Sequence, residues 1–277
     1  MRHKVIFTDI DGTLIDINTG EYGEDTKGLI HTLKENNIPV ILCSAKTWAE
    51  QNKVREDLDL SEEPFIIENG GAIIIPKDYF HFSLDTPNSK EMRDCIVIEL
   101  GKSTNEIRSK LNNIREKFEI EFKGVCDISL EDLCKTADMS IDYARRMAQR
   151  EYSETIIQIG KNDLARFTIG AEGVGLNVIH GGRFFDVTIG NDKGKAVDIL
   201  TKLFKKKYHN DVIFFGLGDS ENDFSMLKHM DVPMLVQRPD RSWSNLVIKN
   251  IIKVQGIGPE GCKNAFNKIM GLGEFSK

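Results

Sequence analysis

Four carboxylates stand where strands should end. Asp9 and Asp11 follow the β-rich run Lys4-Val5-Ile6-Phe7-Thr8, and Asp219 and Asp223 follow the run Val212-Ile213-Phe214-Phe215 and the turn Gly216-Leu217-Gly218. In an open α/β sheet, ligands gather outside the carboxyl ends of the strands. If both strands are central and parallel, these acids converge on one rim. Clustered carboxylates repel one another and stay ionised together only with cations among them. All-oxygen donors suit a hard divalent ion, and Mg²⁺ prefers a couple of carboxylates plus water and a phosphate. The pattern points to Mg²⁺ and a phosphorylated substrate.

Two further residues fit that chemistry. Ser44 ends the run Val40-Ile41-Leu42-Cys43 and opens Ser44-Ala45-Lys46-Thr47 ahead of a predicted helix. A hydroxyl beside free helix-start N–H groups can hold a phosphoryl oxygen, although the same serine can simply cap the helix. Lys193 opens another helix in Asn191-Asp192-Lys193-Gly194, where the helix dipole disfavours a cation. A cation placed against that preference suggests an anion to neutralise. Each motif alone also has a plain structural reading, Asp11-Gly12 as a turn and Asp219-Ser220 as a helix cap. Their joint occurrence in one order carries the argument.

The elements that must position these residues follow from periodicity. Strand 4–8, a helix over Thr26–Asn36 with Leu29, Ile30 and Leu33 on one side, strand Ile38–Leu42, a helix from about Thr47 and strand Phe65–Ile67 alternate as in a parallel α/β sheet. Ala72–Ile75 reads as a hairpin partner stopped by Pro76. The pattern changes near Thr86-Pro87-Asn88. A strand at Cys95–Leu100, a helix at Ser103–Phe118 opened by Ser103 and Glu106, a helix at Ser140–Gln149, a strand at Thr155–Ile159 and a hairpin about His180-Gly181-Gly182 then suggest a separate α+β unit. The βα rhythm resumes with a helix at Lys193–Lys207. The expected architecture is α/β, a doubly wound parallel-sheet (Rossmann-like) core over 1–86 and 187–277 with an inserted α+β domain over 87–186.

Composition narrows the function classes. The chain has 277 residues, 40% hydrophobic and 29% charged, the balance of a soluble globular protein. A net charge of −6, from 37 basic and 43 acidic residues, disfavours a nucleic-acid partner. No run approaches the roughly 18 apolar residues of a membrane span, so no membrane association is expected. The N-terminus lacks a signal-peptide pattern. The cysteines, Cys43, Cys95, Cys126, Cys134 and Cys262, are odd in number and show no CxxC spacing. Neither a disulfide framework nor a zinc site is expected, and a cytoplasmic location is.

Taken in order, Asp9-Ile10-Asp11-Gly12-Thr13, Ser44, Lys193 and Gly218-Asp219-Ser220-Glu221-Asn222-Asp223 resemble the four motifs of the haloacid dehalogenase superfamily of phosphatases. The insertion between Ser44 and Lys193 is where the Cof-like, type IIB branch carries its larger α/β cap. Leu42-Cys43-Ser44-Ala45-Lys46-Thr47, Pro64 to Ala72, Arg150-Glu151-Tyr152-Ser153-Glu154 and Gly181-Gly182-Arg183-Phe184 further resemble the mannosyl-3-phosphoglycerate phosphatases of that branch. Two departures lie in the insertion: Thr155 stands where proline is common, and the match is loose over Lys123–Ala137.

The resemblance implies a hydrolase core and a set of roles. Asp9 is the nucleophile that forms an aspartyl-phosphate, and Asp11 is the general acid and then base. Mg²⁺ is held by Asp9, the Asp11 carbonyl and Asp219, with Asp223 orienting the shell. Ser44 and Lys193 stabilise the transferring phosphoryl group. Substrate-binding candidates are Lys46, Glu68, Asn69, Gly70, Gly71, Asn222 and two arginines, Arg150 and Arg183, whose guanidinium suits a carboxylate. The implied reaction is hydrolysis of mannosyl-3-phosphoglycerate to mannosylglycerate, a compatible solute, and phosphate. Alternatives are a phosphatase for a related sugar phosphate such as glucosyl-3-phosphoglycerate or sucrose phosphate, a phosphomutase, or a non-catalytic sugar-phosphate sensor. A small phosphorylated sugar is the expected partner, for a monomer or homodimer.

Overall fold

A computed structural model describes residues 2–84, 88–181 and 184–271. The chain runs β1 (His3–Thr8), α1 (Thr26–Glu35), β2 (Val40–Cys43), α2 (Trp48–Asp57), β3 (Phe65–Ile67), β4 (Ala72–Pro76), β5 (Ser89–Met92) and β6 (Cys95–Glu99). It continues through α3 (Thr104–Phe118), β7 (Phe122–Gly124), α4 (Leu130–Ala137), α5 (Ile141–Met147), β8 (Ser153–Ile159), α6 (Leu164–Gly173), β9 (Asn177–His180) and β10 (Phe185–Thr188). It closes with α7 (Lys193–Lys207), β11 (Val212–Gly218), α8 (Phe224–Lys228), β12 (Val232–Gln237), β13 (Ile252–Ile257) and α9 (Pro259–Gly271).

Nine strands form the large sheet, in the order β13-β12-β11-β1-β2-β3-β4-β6-β5. The six from β13 to β3 are parallel, and β4, β6 and β5 extend the sheet antiparallel. Helices cover both faces of the parallel part, which is why its strands read as unbroken apolar runs. Along β1 the side chains alternate between two cores. Val5 and Phe7 join Ala196, Leu200 and Phe204 of α7, while Ile6 joins Leu33 of α1 and Phe266 of α9. The chain leaves β1 for β2 on one side and returns at β11 on the other, so the strand order reverses at β1. That reversal opens a crevice at the strands' carboxyl ends.

The second sheet has four antiparallel strands, β7-β8-β10-β9. Ile107, Leu111 and Ile114 of α3 and Phe167 and Ala171 of α6 cover one face through Ile156 and Val187. Leu133 and Ala137 of α4 and Ala144 and Met147 of α5 form a smaller core beside Ile157 on the other face. Residues 123–137, the stretch of loose resemblance, are thus the end of β7, a short 3-10 turn and α4.

Sheet membership differs from the expected border at 87. β6 pairs with β4 and β5 with β6, so both belong to the large sheet, whereas Val187 and Thr188 belong to the small one. Pairing decides this, and a local apolar pattern carries no information about a strand's partner. The chain therefore crosses between the sheets at Leu100–Lys102 and Ile189–Asn191. The two crossings are tied together, with the Lys102 amide donating to the Ile189 carbonyl at 3.1 Å. All five cysteines are free. Among the described residues no helix is long and apolar enough to cross a membrane.

Candidate active site

Register brings the distant motifs to one rim. Thr8, the last residue of β1, pairs with Leu42 on one side and Leu217 on the other. The residues that follow, Asp9, Ser44 and Asp219, emerge side by side. Asp9, Asp219 and Asp223 are buried, and each offers a carboxylate oxygen within 4.8 Å of the other two.

Lys193 is the cation that holds two of these acids. Its ammonium donates to Asp9 Oδ1 at 2.8 Å and Asp223 Oδ1 at 2.7 Å. The other oxygen of Asp223 accepts the backbone N–H groups of Asp219 at 3.1 Å and Ser220 at 3.3 Å. Asp223 is therefore fully engaged by the protein. Asp219 is the opposite case, because its Oδ1 is buried and meets no partner. Burial pushes the Asp219 carboxyl up to about 8, with Asp223 and then Asp9 adding to the rise. Burial also pushes Asp9 up to about 7 against the pull of Lys193, and Asp223 and Asp11 add to it. A divalent cation among these oxygens would satisfy the orphan and offset the repulsion. Asp9 and Asp219 are the residues positioned to hold it, with Asp223 bracing the loop behind them.

The turn after Asp9 completes this rim. Gly12 has φ +78°, and a Cβ there would come within 2.8 Å of Asp219 Oδ2. The Asp11–Gly12 backbone thus lies against the Asp219 carboxylate, a closeness only glycine permits. The Asp11 side chain points elsewhere. It is 40% exposed, against 5% for Asp9, and faces Lys46 Nζ at 3.0 Å.

Ser44 is fully buried, and its Oγ accepts the Lys46 amide at 3.3 Å. Thr47 then caps α2 in a reciprocal box with Glu50, the kind of cap that stabilises a helix start by about 1 kcal/mol. That cap fixes the loop carrying Ser44 and Lys46. Lys46 Nζ also donates to the Tyr143 hydroxyl of α5 at 2.7 Å, and Thr47 Oγ1 donates to the Arg146 carbonyl at 3.0 Å. Asn222 is half-buried in the turn before Asp223, where its Oδ1 accepts from Ser220 Oγ at 2.8 Å.

The remaining candidates lie in the seam between the two sheets. Glu68 is fully buried, and its carboxylate accepts the amides of Glu151 and Tyr152, each at 2.9 Å, and the Ser153 hydroxyl. Burial raises it to about 6, against the pull of Arg150 and those donors. Asn69 Nδ2 donates to Asp186 Oδ2 at 3.0 Å. Gly70 has φ +87° and packs against the Asp192 carbonyl, and Gly71 packs against Tyr152. Expected as substrate-binding residues, these glycines instead permit close approach of the chain to itself. The Arg150 side chain is 5% exposed, donates to Ser153 Oγ at 2.9 Å and pairs with Asp186 at 3.6 Å. The structure gives its guanidinium the protein's own carboxylate, while its Nε is buried and meets no hydrogen-bond partner. Arg183 lies outside the described residues.

Several site neighbours carry no signal in the sequence. Tyr143 and Asp186 are more than ninety residues from their core partners Lys46 and Asn69. Arg238 donates from Nε to the Asp219 carbonyl at 3.3 Å and pairs with Glu221. No spacing marks these residues. The one available signal was Thr155, where a hydroxyl replaces the expected proline; it donates to Asp186 Oδ1 at 2.6 Å.

Comparison with known proteins agrees with this geometry. A family described as haloacid dehalogenase-like hydrolase matches residues 6–98. The glucosyl-3-phosphoglycerate/mannosyl-3-phosphoglycerate phosphatase of Methanococcoides burtonii is 40% identical over 98% of this chain and 98% of its own length. The mannosyl-3-phosphoglycerate phosphatase of Pyrococcus horikoshii is 36% identical over 84% of this chain and 90% of its own. Among solved structures, a sugar phosphatase of haloacid dehalogenase subclass IIB superposes with a TM-score of 0.62 at 16% identity, covering 96% of this chain and 98% of that one. From the fold, the shared motifs and these relatives together, the chain belongs to the haloacid dehalogenase-like hydrolases, in the group of glucosyl-3-phosphoglycerate/mannosyl-3-phosphoglycerate phosphatases.

Proposed function

We propose that this protein is a Mg²⁺-dependent phosphatase that hydrolyses mannosyl-3-phosphoglycerate to mannosylglycerate and phosphate. The observation that carries the reading is the buried group Asp9, Asp219, Asp223 and Lys193 at the reversal of strand order, with Asp219 Oδ1 lacking a partner. Such a site is built to receive a cation and an anion together. The names of the relatives supply the substrate.

In this mechanism the Asp9 carboxylate attacks phosphorus and forms an aspartyl-phosphate, while Asp11 gives its proton to the departing sugar-acid oxygen. Water then attacks the phosphoryl group, Asp11 takes its proton, and phosphate leaves with Asp9 restored. Lys193 and Ser44 offset the charge on the transferring oxygens. The bound cation would supply further charge neutralisation at the phosphoryl oxygens. The exposed Asp11 and buried Asp9 suit this division, since the acid must meet a bulky leaving group and the nucleophile must be shielded from water. Free cysteines support a cytoplasmic setting.

A second reading, hydrolysis of glucosyl-3-phosphoglycerate, is favoured by the double name of the Methanococcoides burtonii relative. Phosphate release from both esters, with and without Mg²⁺, tests the proposal. Turnover of neither ester would overturn the function. Turnover of the glucosyl ester alone would move the substrate and keep the chemistry.

A further inference from the structure

A phosphoglycerate ester carries a carboxylate on its leaving group, and some cation must answer it. Arg150 and Lys46 are equally buried, each side chain 5% exposed and each facing a carboxylate, Asp186 at 3.6 Å for Arg150 and Asp11 at 3.0 Å for Lys46. What distinguishes Lys46 is its place: the carboxylate it faces is that of Asp11, the residue that meets the leaving oxygen in the proposed mechanism, whereas Arg150 lies in the seam beside Asp186 and Ser153. An ammonium has three hydrogens to donate. Tyr143 accepts one at 2.7 Å and the Asp11 carboxylate stands within reach of a second at 3.0 Å, while Glu50, at 4.0 Å, is beyond hydrogen-bond reach, so one remains. The Tyr143 hydroxyl accepts from Lys46. A core cation and a hydroxyl of the inserted unit therefore converge beside the acid.

We propose that Lys46, held in place by Tyr143, reads the carboxylate of the leaving group, so that the preferred substrates are phosphomonoesters whose oxygen-bearing carbon lies two carbon–carbon bonds or fewer from a carboxyl carbon. The span fits. In a 3-phosphoglycerate ester, two carbon–carbon bonds of about 1.5 Å separate the oxygen-bearing carbon from the carboxyl carbon. A ligand oxygen within about 3 Å of Asp11 then brings its carboxylate within reach of Lys46. Because Tyr143 rides on α5, the same contact ties carboxylate recognition to the docking of the inserted unit on α2. The inference rests on the phosphoglycerate-ester reading and assigns the residue pair that would enforce it.

The test compares kcat/KM for mannosyl-3-phosphoglycerate and its primary carboxamide, which keeps the shape and removes the charge. The wild type should prefer the acid by roughly 30-fold, the worth of a charge-assisted hydrogen bond. Lys46→Met should bring that ratio near one, and Tyr143→Phe should reduce it several-fold, mainly through KM for the acid. Tyr143→Phe keeps the ring and serves alone if Lys46→Met fails to fold. A preference retained in both variants, or one abolished by Arg183→Met instead, overturns the inference. A wild type that hydrolyses neither compound, yet releases phosphate from another sugar phosphate, overturns the phosphoglycerate reading instead. Equal turnover of acid and amide by the wild type overturns the inference and leaves the phosphatase reading standing.

Discussion

Two places in this molecule bury carboxylates, and they treat them differently. In the seam, Glu68 has three donors on its two oxygens, and Asp186 is met by Asn69, Thr155 and Arg150. At the strand ends, Asp9 and Asp223 share one ammonium, and Asp219 Oδ1 meets no partner. The seam is charge made to hold two sheets together. The rim is charge left incomplete, the expected state of a site whose missing partners are ligands. Burial of a carboxylate alone does not separate these cases; the count of donors on its oxygens does.

The sharpest way to break the contrast is substitution on each side. Asp9→Asn should lower turnover by at least about 10³-fold while the protein remains folded, read by phosphate release and thermal melting. Arg150→Met should act on stability. It strips Asp186 and Glu68 of their buried cation, and unfolding in denaturant should show a loss of about 3 kcal/mol. If Arg150→Met instead left stability untouched and raised only KM, the seam would be a substrate site and the contrast would fail.

A milder probe is pH in the absence of divalent cations. The Asp9 and Asp219 carboxyls are raised to about 7 and about 8, from an unfolded value near 4. The folded protein then binds more protons than the unfolded chain through that window. Stability due to these groups is full below about pH 4 and is lost as pH rises through 7 to 8. Added Mg²⁺ should restore melting temperature most at pH 8 and little at pH 5. A cation effect that did not grow with pH would contradict the repulsion at the rim. The smallest expected effect is Thr155→Val, which removes one hydroxyl donor from buried Asp186 and should cost about 1.5 kcal/mol.

The same contrast explains what was readable in the chain. The rim was legible because its residues sit at strand ends, and a strand's end is local: Thr8 before Asp9 and Gly218 before Asp219 mark it. The parallel half of the large sheet was legible for the same reason. The seam was not. Glu68, Asn69 and Arg150 carry the polar types of a binding site, and only tertiary structure reveals that Ser153, Asp186 and the Glu151 and Tyr152 amides already bind them. The apolar pattern of β6 marks a strand but not its partner, so its pairing with β4 rather than within the inserted unit is visible only in the structure. Helix α6 went unread because Gly170 and Gly173 interrupt its pattern. Tyr143 had no signal at all until α5 was seen docked on Lys46.

Calorimetric titration of Mg²⁺ into the cation-free protein at pH 7.5 tests the central claim most directly. The account predicts saturable binding of a single ion per chain, with protons released as Asp9 and Asp219 ionise, and loss of that binding in Asp219→Asn. No saturable binding by the wild type, or equal binding by Asp219→Asn, would contradict it.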